Sequence, residues 1–171
     1  MNSNEINLFA KQFRIKRFLG VFAVDELSLI PQNRHGLVIF NTDTSQSVGQ
    51  HWIALSIKKR SILYFDSLSG KFQYSTTFTD YMKHSKKGLA WNELQIQSDI
   101  SDKCGIHCLV FCYAMQGGKN KRSYERFLKP FKDLCVQERE KLSLYYFNHP
   151  LLIMLAFRPS STLAFSCSCF P

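Results

Sequence analysis

Residues 104–115 read CGIHCLVFCYAM, twelve positions without a single Asp, Glu, Lys or Arg. Ile106, Leu109, Val110, Phe111, Ala114 and Met115 fall all round a helical wheel. A helix that is apolar on every side is expected at the centre of a soluble fold. Gly117 and Gly118 stand where it should stop. A polar stretch, QSDISDK at 97–103, leads into it, so Cys104 is expected at the helix N-terminus. The positive end of the helix dipole favours a thiolate there. Gly105 would let a substrate backbone come close.

Working outward, the pieces before this helix are mostly strand-like. Residues 4–14 suit a short helix, and FLGVFAV at 18–24 a strand or apolar loop. LVIF at 37–40 is a continuous apolar run, as a buried central strand should be. HWIALSI at 51–57 and SILYF at 61–65 flank the basic turn Lys58-Lys59-Arg60, which reads as a hairpin. Residues 72–83 are expected to be helical, and the alternating WNELQI at 91–96 a further strand. Two amphipathic helices are expected near 123–131 and 135–147. The order, strands first and helices later, predicts an α+β fold: a central buried helix packed on a mixed or antiparallel sheet. One domain is expected over 1–157, followed by an irregular tail at 158–171.

The bulk numbers fit that size. The chain has 171 residues, 45% hydrophobic and 20% charged, enough for one domain with a real core. Fifteen Phe residues should make the core aromatic. The net charge of +9 favours acidic partners, nucleic acid above all, although a solvated basic surface explains scattered lysines equally well. All six cysteines lie at or after position 104, and no glycosylation sequon occurs. That usage is expected of a reducing compartment, not of a disulfide framework. Neither a signal peptide nor a bilayer-spanning stretch is read in the sequence.

A nucleophilic cysteine needs a base, a group that orients the base, and an oxyanion hole. His51 opens the first hairpin strand and Asp66 follows the second. In an antiparallel pair those two positions share one end of the sheet, so the carboxylate can hold the imidazole. Gln97 lies seven residues before Cys104, where a bent loop would bring its amide back toward the thiol. Taken singly, each residue has a commoner structural reading. His107, three residues past Cys104, is a rival base. A metal site built on Cys104, Cys108 and Cys112 is disfavoured, since no second ligand pair has zinc-type spacing.

The ordered set His51-Trp52, Asp66-Ser67, Gln97 and Cys104-Gly105 resembles the adenovirus protease (adenain) family. That family shares its catalytic arrangement with SUMO and ubiquitin-like-specific proteases. The segments FLGVFAVDEL, QHWIAL, YFDSLSG and QSDISDKCGIHCLVFC look like adenain-type enzymes of large DNA viruses and of virus-like self-synthesising transposons. The resemblance implies a papain-like cysteine protease core, with His51 as general base and Asp66 orienting it. Gln97 and the Cys104 N–H would bind the oxyanion, and Trp52 and Gly105 would border the substrate. Asp66 stands where adenain proper has Glu, but Asp is usual in the SUMO-protease branch.

The implied activity is a cysteine endopeptidase maturing viral or element-encoded capsid and core precursors, cleaving after small residues in Gly-containing motifs. The implied setting is the host nucleus or cytoplasm, or the virion, with protein substrates, no membrane and a monomeric enzyme. No cofactor is needed for the chemistry, and DNA is admitted as an activator. Mammalian adenain is switched on by a peptide disulfide-bonded to a cysteine upstream of its catalytic Gln; this chain has no cysteine before 104, so that device does not carry over. Two rivals remain open at this point. One is a deconjugating protease for a ubiquitin-like modifier, and the other is an inactive, basic DNA-binding descendant of a protease.

Overall fold

The computed structural model describes residues 1–31, 33–69, 76–117 and 121–157. The expected tail at 158–171 and the expected helical start at 72–75 lie outside the described residues. Five strands form one sheet in the order β1 (Phe18–Ala23), β2 (Gly36–Asn41), β3 (Trp52–Ile57), β4 (Ser61–Phe65) and β5 (Gly88–Trp91). The inner pairs β2–β3 and β3–β4 are antiparallel. The outer pairs β1–β2 and β4–β5 are parallel, so the sheet is mixed. Gly36 is needed where β2 starts, because a Cβ there would sit 2.4 Å from the Arg17 carbonyl oxygen.

Why LVIF and the hairpin strands are apolar without interruption is now plain: both sheet faces are covered. Leu37, Ile39, Ala54, Leu63 and Phe65 pack on one face, while Val38, Phe40, Leu55, Ile62 and Tyr64 pack on the other. The second face is closed by a 3₁₀ turn at Val24–Leu29 and by α2 (Thr76–Ser85). The first face carries α3 (Cys104–Met115), the expected central helix, with Cys108, Leu109, Phe111 and Cys112 fully buried. Around α3 sit α1 (Ser3–Gln12), α4 (Lys121–Leu128), α5 (Val136–Asn148) and α6 (Pro150–Ala156).

Aromatic rings bind these layers. Phe65 of β4 stacks on Phe111 of α3 at 4.9 Å between centroids, and Phe127 of α4 meets both edge-on. Offset and edge-to-face pairs of this kind add stability beyond the area they bury. At the N-terminus a capping box starts α1: Glu5 N–H donates to the Asn2 side chain at 3.0 Å, and Asn2 N–H to the Glu5 carboxylate at 2.7 Å. Ile6 and Ala10 then pin α1 into the α3 core, which fixes where Met1 lies.

One expectation on local structure needs correction. The run WNELQI is not a strand: β5 ends at Trp91, and residues 92–96 form a loop. Asn92 turns inward in that loop and bonds to the Asp66 main chain. The apolar stretch near the end, 151–157, is mostly a helix, α6, started by Pro150 at its first position. No helix among the described residues is long and apolar enough to cross a membrane.

Candidate functional site

His51 directly precedes β3 and Asp66 directly follows β4. Ala54 pairs with Phe65 and Leu55 with Tyr64, so extending that register brings the two positions to one end of the hairpin. There His51 Nε2 lies 2.7 Å from Asp66 Oδ1. The same carboxylate oxygen accepts the Leu68 N–H at 2.9 Å. The Asp66 main chain is clamped by Asn92, whose side-chain oxygen takes the Asp66 N–H and whose amide donates to the Asp66 carbonyl.

With Nε2 committed to the carboxylate, Nδ1 is the ring nitrogen left to face the thiol. His51 and Cys104 are hydrogen-bonded to each other. Burial alone would lower the imidazole pKa, but the bonds and charges of Asp66 and Cys104 outweigh it and raise His51 to about 9. Burial likewise resists ionisation of Cys104, yet its bond to His51, the Trp52 and Gly105 N–H groups and the His51 charge bring its pKa below the ordinary value. Both shifts favour a thiolate–imidazolium pair. Further along the same helix the logic reverses: burial pushes Cys108 and Cys112 up, and both stay thiols. The Cys108 S–H donates to the Trp52 carbonyl at 3.3 Å.

Gln97 is buried in the loop between β5 and α3. Its amide nitrogen donates to the Ser101 carbonyl at 2.5 Å, three residues before Cys104. Its side-chain oxygen accepts the Ser67 hydroxyl at 2.7 Å. The Trp52 indole faces the N-terminus, with Nε1–H donating to the Met1 carbonyl at 3.0 Å. Gly105 faces Met1 and Ile6; a Cβ there would lie 3.1 Å from the Met1 sulfur. Between residues 1–5, the 44–49 loop and Trp52 runs a cleft of about 560 Å³.

The rival base is placed elsewhere. His107 is fully buried, with Nδ1 2.7 Å from the Ser143 hydroxyl of α5 and Nε2 3.7 Å from Glu140. Burial outweighs the Glu140 charge and lowers its pKa to about 4. Among the described residues no group of three or more His, Cys, Asp or Glu side chains is placed to hold a metal.

Sequence reasoning missed three contributors: Asn92, the main chain of Trp52, and Met1. Asn92 had been absorbed into an expected strand, and main-chain contacts leave no mark on residue type. Ser67 was visible only as a neighbour of Asp66.

No family model matches the chain. The protease of porcine adenovirus A serotype 3 is 21% identical over 88% of this chain and 92% of its own length. The protease of snake adenovirus serotype 1 is 24% identical over 66% of this chain and 63% of its own. The crystal structure of an ASFV protease superposes with a TM-score of 0.54 at 14% identity, covering 87% of this chain and 66% of that one. The chain is therefore adenain-like, with an α+β fold shared with the ASFV protease.

Proposed function

We propose that the chain is a cysteine endopeptidase that cleaves viral or element-encoded capsid and core precursors. The observation that carries this reading is the meeting, at the head of a buried helix, of Cys104 with a histidine held by Asp66. The adenovirus relatives, both named proteases, support it.

The chemistry follows from the charges. Cys104 thiolate attacks the scissile carbonyl carbon, and the electron pair moves to the carbonyl oxygen. The Cys104 N–H, one of the unpaired donors at a helix start, and the second Gln97 amide hydrogen stabilise that oxyanion. His51, already an imidazolium, gives its Nδ1 proton to the leaving amine. The product is a thioester on Cys104 and a neutral His51. Water then attacks the thioester while His51 takes its proton, restoring the ion pair and releasing the acid. Asp66 keeps Nε2 protonated throughout. The cleft of residues 1–5 and 44–49 meets this site only at Trp52; His51, Gln97 and Cys104 do not line it. The +9 net charge supports DNA as an activating polyanion, which would raise the same cleavage rate.

The test is mapping of thiol alkylation together with peptide cleavage. Iodoacetamide in reducing buffer at pH 6 should label Cys104, well below the free-thiol pKa of about 8.5. Capsid-precursor peptides with glycine at the cut site should be hydrolysed, and C104A should abolish this. Absence of labelling at Cys104 would remove the enzyme reading. Cleavage of ubiquitin-like Gly-Gly fusions in preference to precursor peptides would move it to the deconjugating class.

A further inference from the structure

We propose that Ser67 is a positioning residue that sets the oxyanion arm of the site through Gln97. The inference rests on the protease reading above and concerns how its machinery is held.

Ser67 is completely buried, directly after Asp66, and it grips Gln97 at both ends. Its carbonyl accepts the Ile96 N–H at 2.7 Å and the Gln97 N–H at 2.9 Å. Its hydroxyl lies 2.7 Å from Gln97 Oε1. A glutamine amide can flip, so which end faces the site must be decided by chemistry. Ser101 decides it. Its carbonyl can only accept, so the amide nitrogen must face it and the amide oxygen must face Ser67. The Ser67 hydroxyl is then the donor. One amide hydrogen goes to Ser101, and the other remains for a developing oxyanion.

Without the Ser67 hydroxyl, a buried amide oxygen would lose its partner and the Gln97 amide would be held by the Ser101 carbonyl alone, able to pivot about that one bond. The fold does not depend on that hydroxyl, because the two main-chain bonds to the Ser67 carbonyl survive any side-chain change. The same dipeptide thus serves both halves of the site. Asp66 orients the imidazole, and Ser67 orients the amide. A defect in Ser67 should therefore touch transition-state stabilisation and leave the thiolate–imidazolium pair alone.

The experiment is a double-mutant cycle on the full chain, read by kcat, KM and the pH profile of Cys104 alkylation. Q97A should lower kcat by roughly 100-fold, as loss of an oxyanion donor does, and S67A by roughly 10-fold, with KM nearly unchanged. S67A added to Q97A should lower kcat no further, because Ser67 acts only through Gln97. S67C, close in size but a weak donor, should fall between wild type and S67A. The alkylation profile of all four variants should overlay that of wild type.

Three results would overturn the proposal: an unchanged kcat in S67A, multiplied effects in the double mutant, or an alkylation profile that shifts in S67A. The last would mean that Ser67 works through Asp66 and His51. Urea midpoints of S67A and S67C separate these outcomes from a failure to fold, since S67C keeps the packing. If wild type itself neither alkylates at Cys104 nor cleaves peptide, the protease reading fails and takes this role with it. If wild type is active and the cycle is additive, only this role fails.

Discussion

Two histidines lie close in sequence or space to the head of α3, each beside a carboxylate, and they behave in opposite ways. His51 meets Asp66 at 2.7 Å, is partly open to solvent, and is raised to about 9. His107 approaches Glu140 only to 3.7 Å, is sealed in the core, and is lowered to about 4. Among the described residues neither His107 Nε2 nor Glu140 Oε1 finds a hydrogen-bond partner. The comparison teaches that a carboxylate nearby does not make a base. A direct hydrogen bond at a place water can reach overcomes desolvation, and an indirect contact in a dry interior does not.

The sharpest way to break the comparison is to remove each ring. H51A should lower kcat/KM by about 10,000-fold and move the Cys104 alkylation midpoint up toward about 8.5. An unmoved midpoint would hand the role to another group. D66N keeps the shape but removes the charge that holds the imidazolium. It should cost roughly 100- to 10,000-fold in kcat and lower the pH at which His51 loses its proton, a shift visible by NMR.

The core histidine should read out in stability, not activity. Its folded pKa lies below the unfolded value of 6.5, so between pH 6.5 and about 4 the unfolded chain binds a proton that the folded one does not. Stability is therefore lost as pH falls through that window, by on the order of 3 kcal/mol. H107Q, neutral at every pH, should flatten this dependence in urea unfolding at pH 4.5 against pH 7, with kcat at pH 7 within about threefold of wild type. A still steeper loss would place the acid sensitivity elsewhere. The smallest effect belongs to E140Q. Removing the Glu140 charge that favours imidazolium should lower the His107 midpoint further, read by NMR titration, and leave kcat at pH 7 unchanged.

Much of this arrangement can be read from residues because it depends on pattern. The charge-free run at 104–115 could only be central, and unbroken apolar strands meant a sheet covered on both faces. The meeting of His51 and Asp66 at one end of the hairpin followed from strand pairing alone. What stayed hidden depends on single contacts. The alternation in WNELQI suggested a half-buried strand. Instead Asn92 turns in to hold the Asp66 main chain, and Arg139 reaches the Gln95 carbonyl at 3.0 Å. The parallel pairing of β1 and β5 left no local signature either. Trp52 was expected to act through its ring near the substrate. Its main chain meets both Cys104 and Cys108, while its indole is tied to Met1.

The hairpin has one more consequence, which concerns length and not chemistry. Between His51 and Asp66 the chain runs out along β3, turns at Lys58-Lys59-Arg60 and returns along β4. One residue added inside either strand would rotate every later side chain to the opposite face and carry His51 and Asp66 away from each other. One added among the exposed residues of the 44–48 loop would do neither. The hairpin is thus a ruler as well as a scaffold. In related chains, insertions should gather in the 42–50 loop and spare the strands between the histidine and the aspartate.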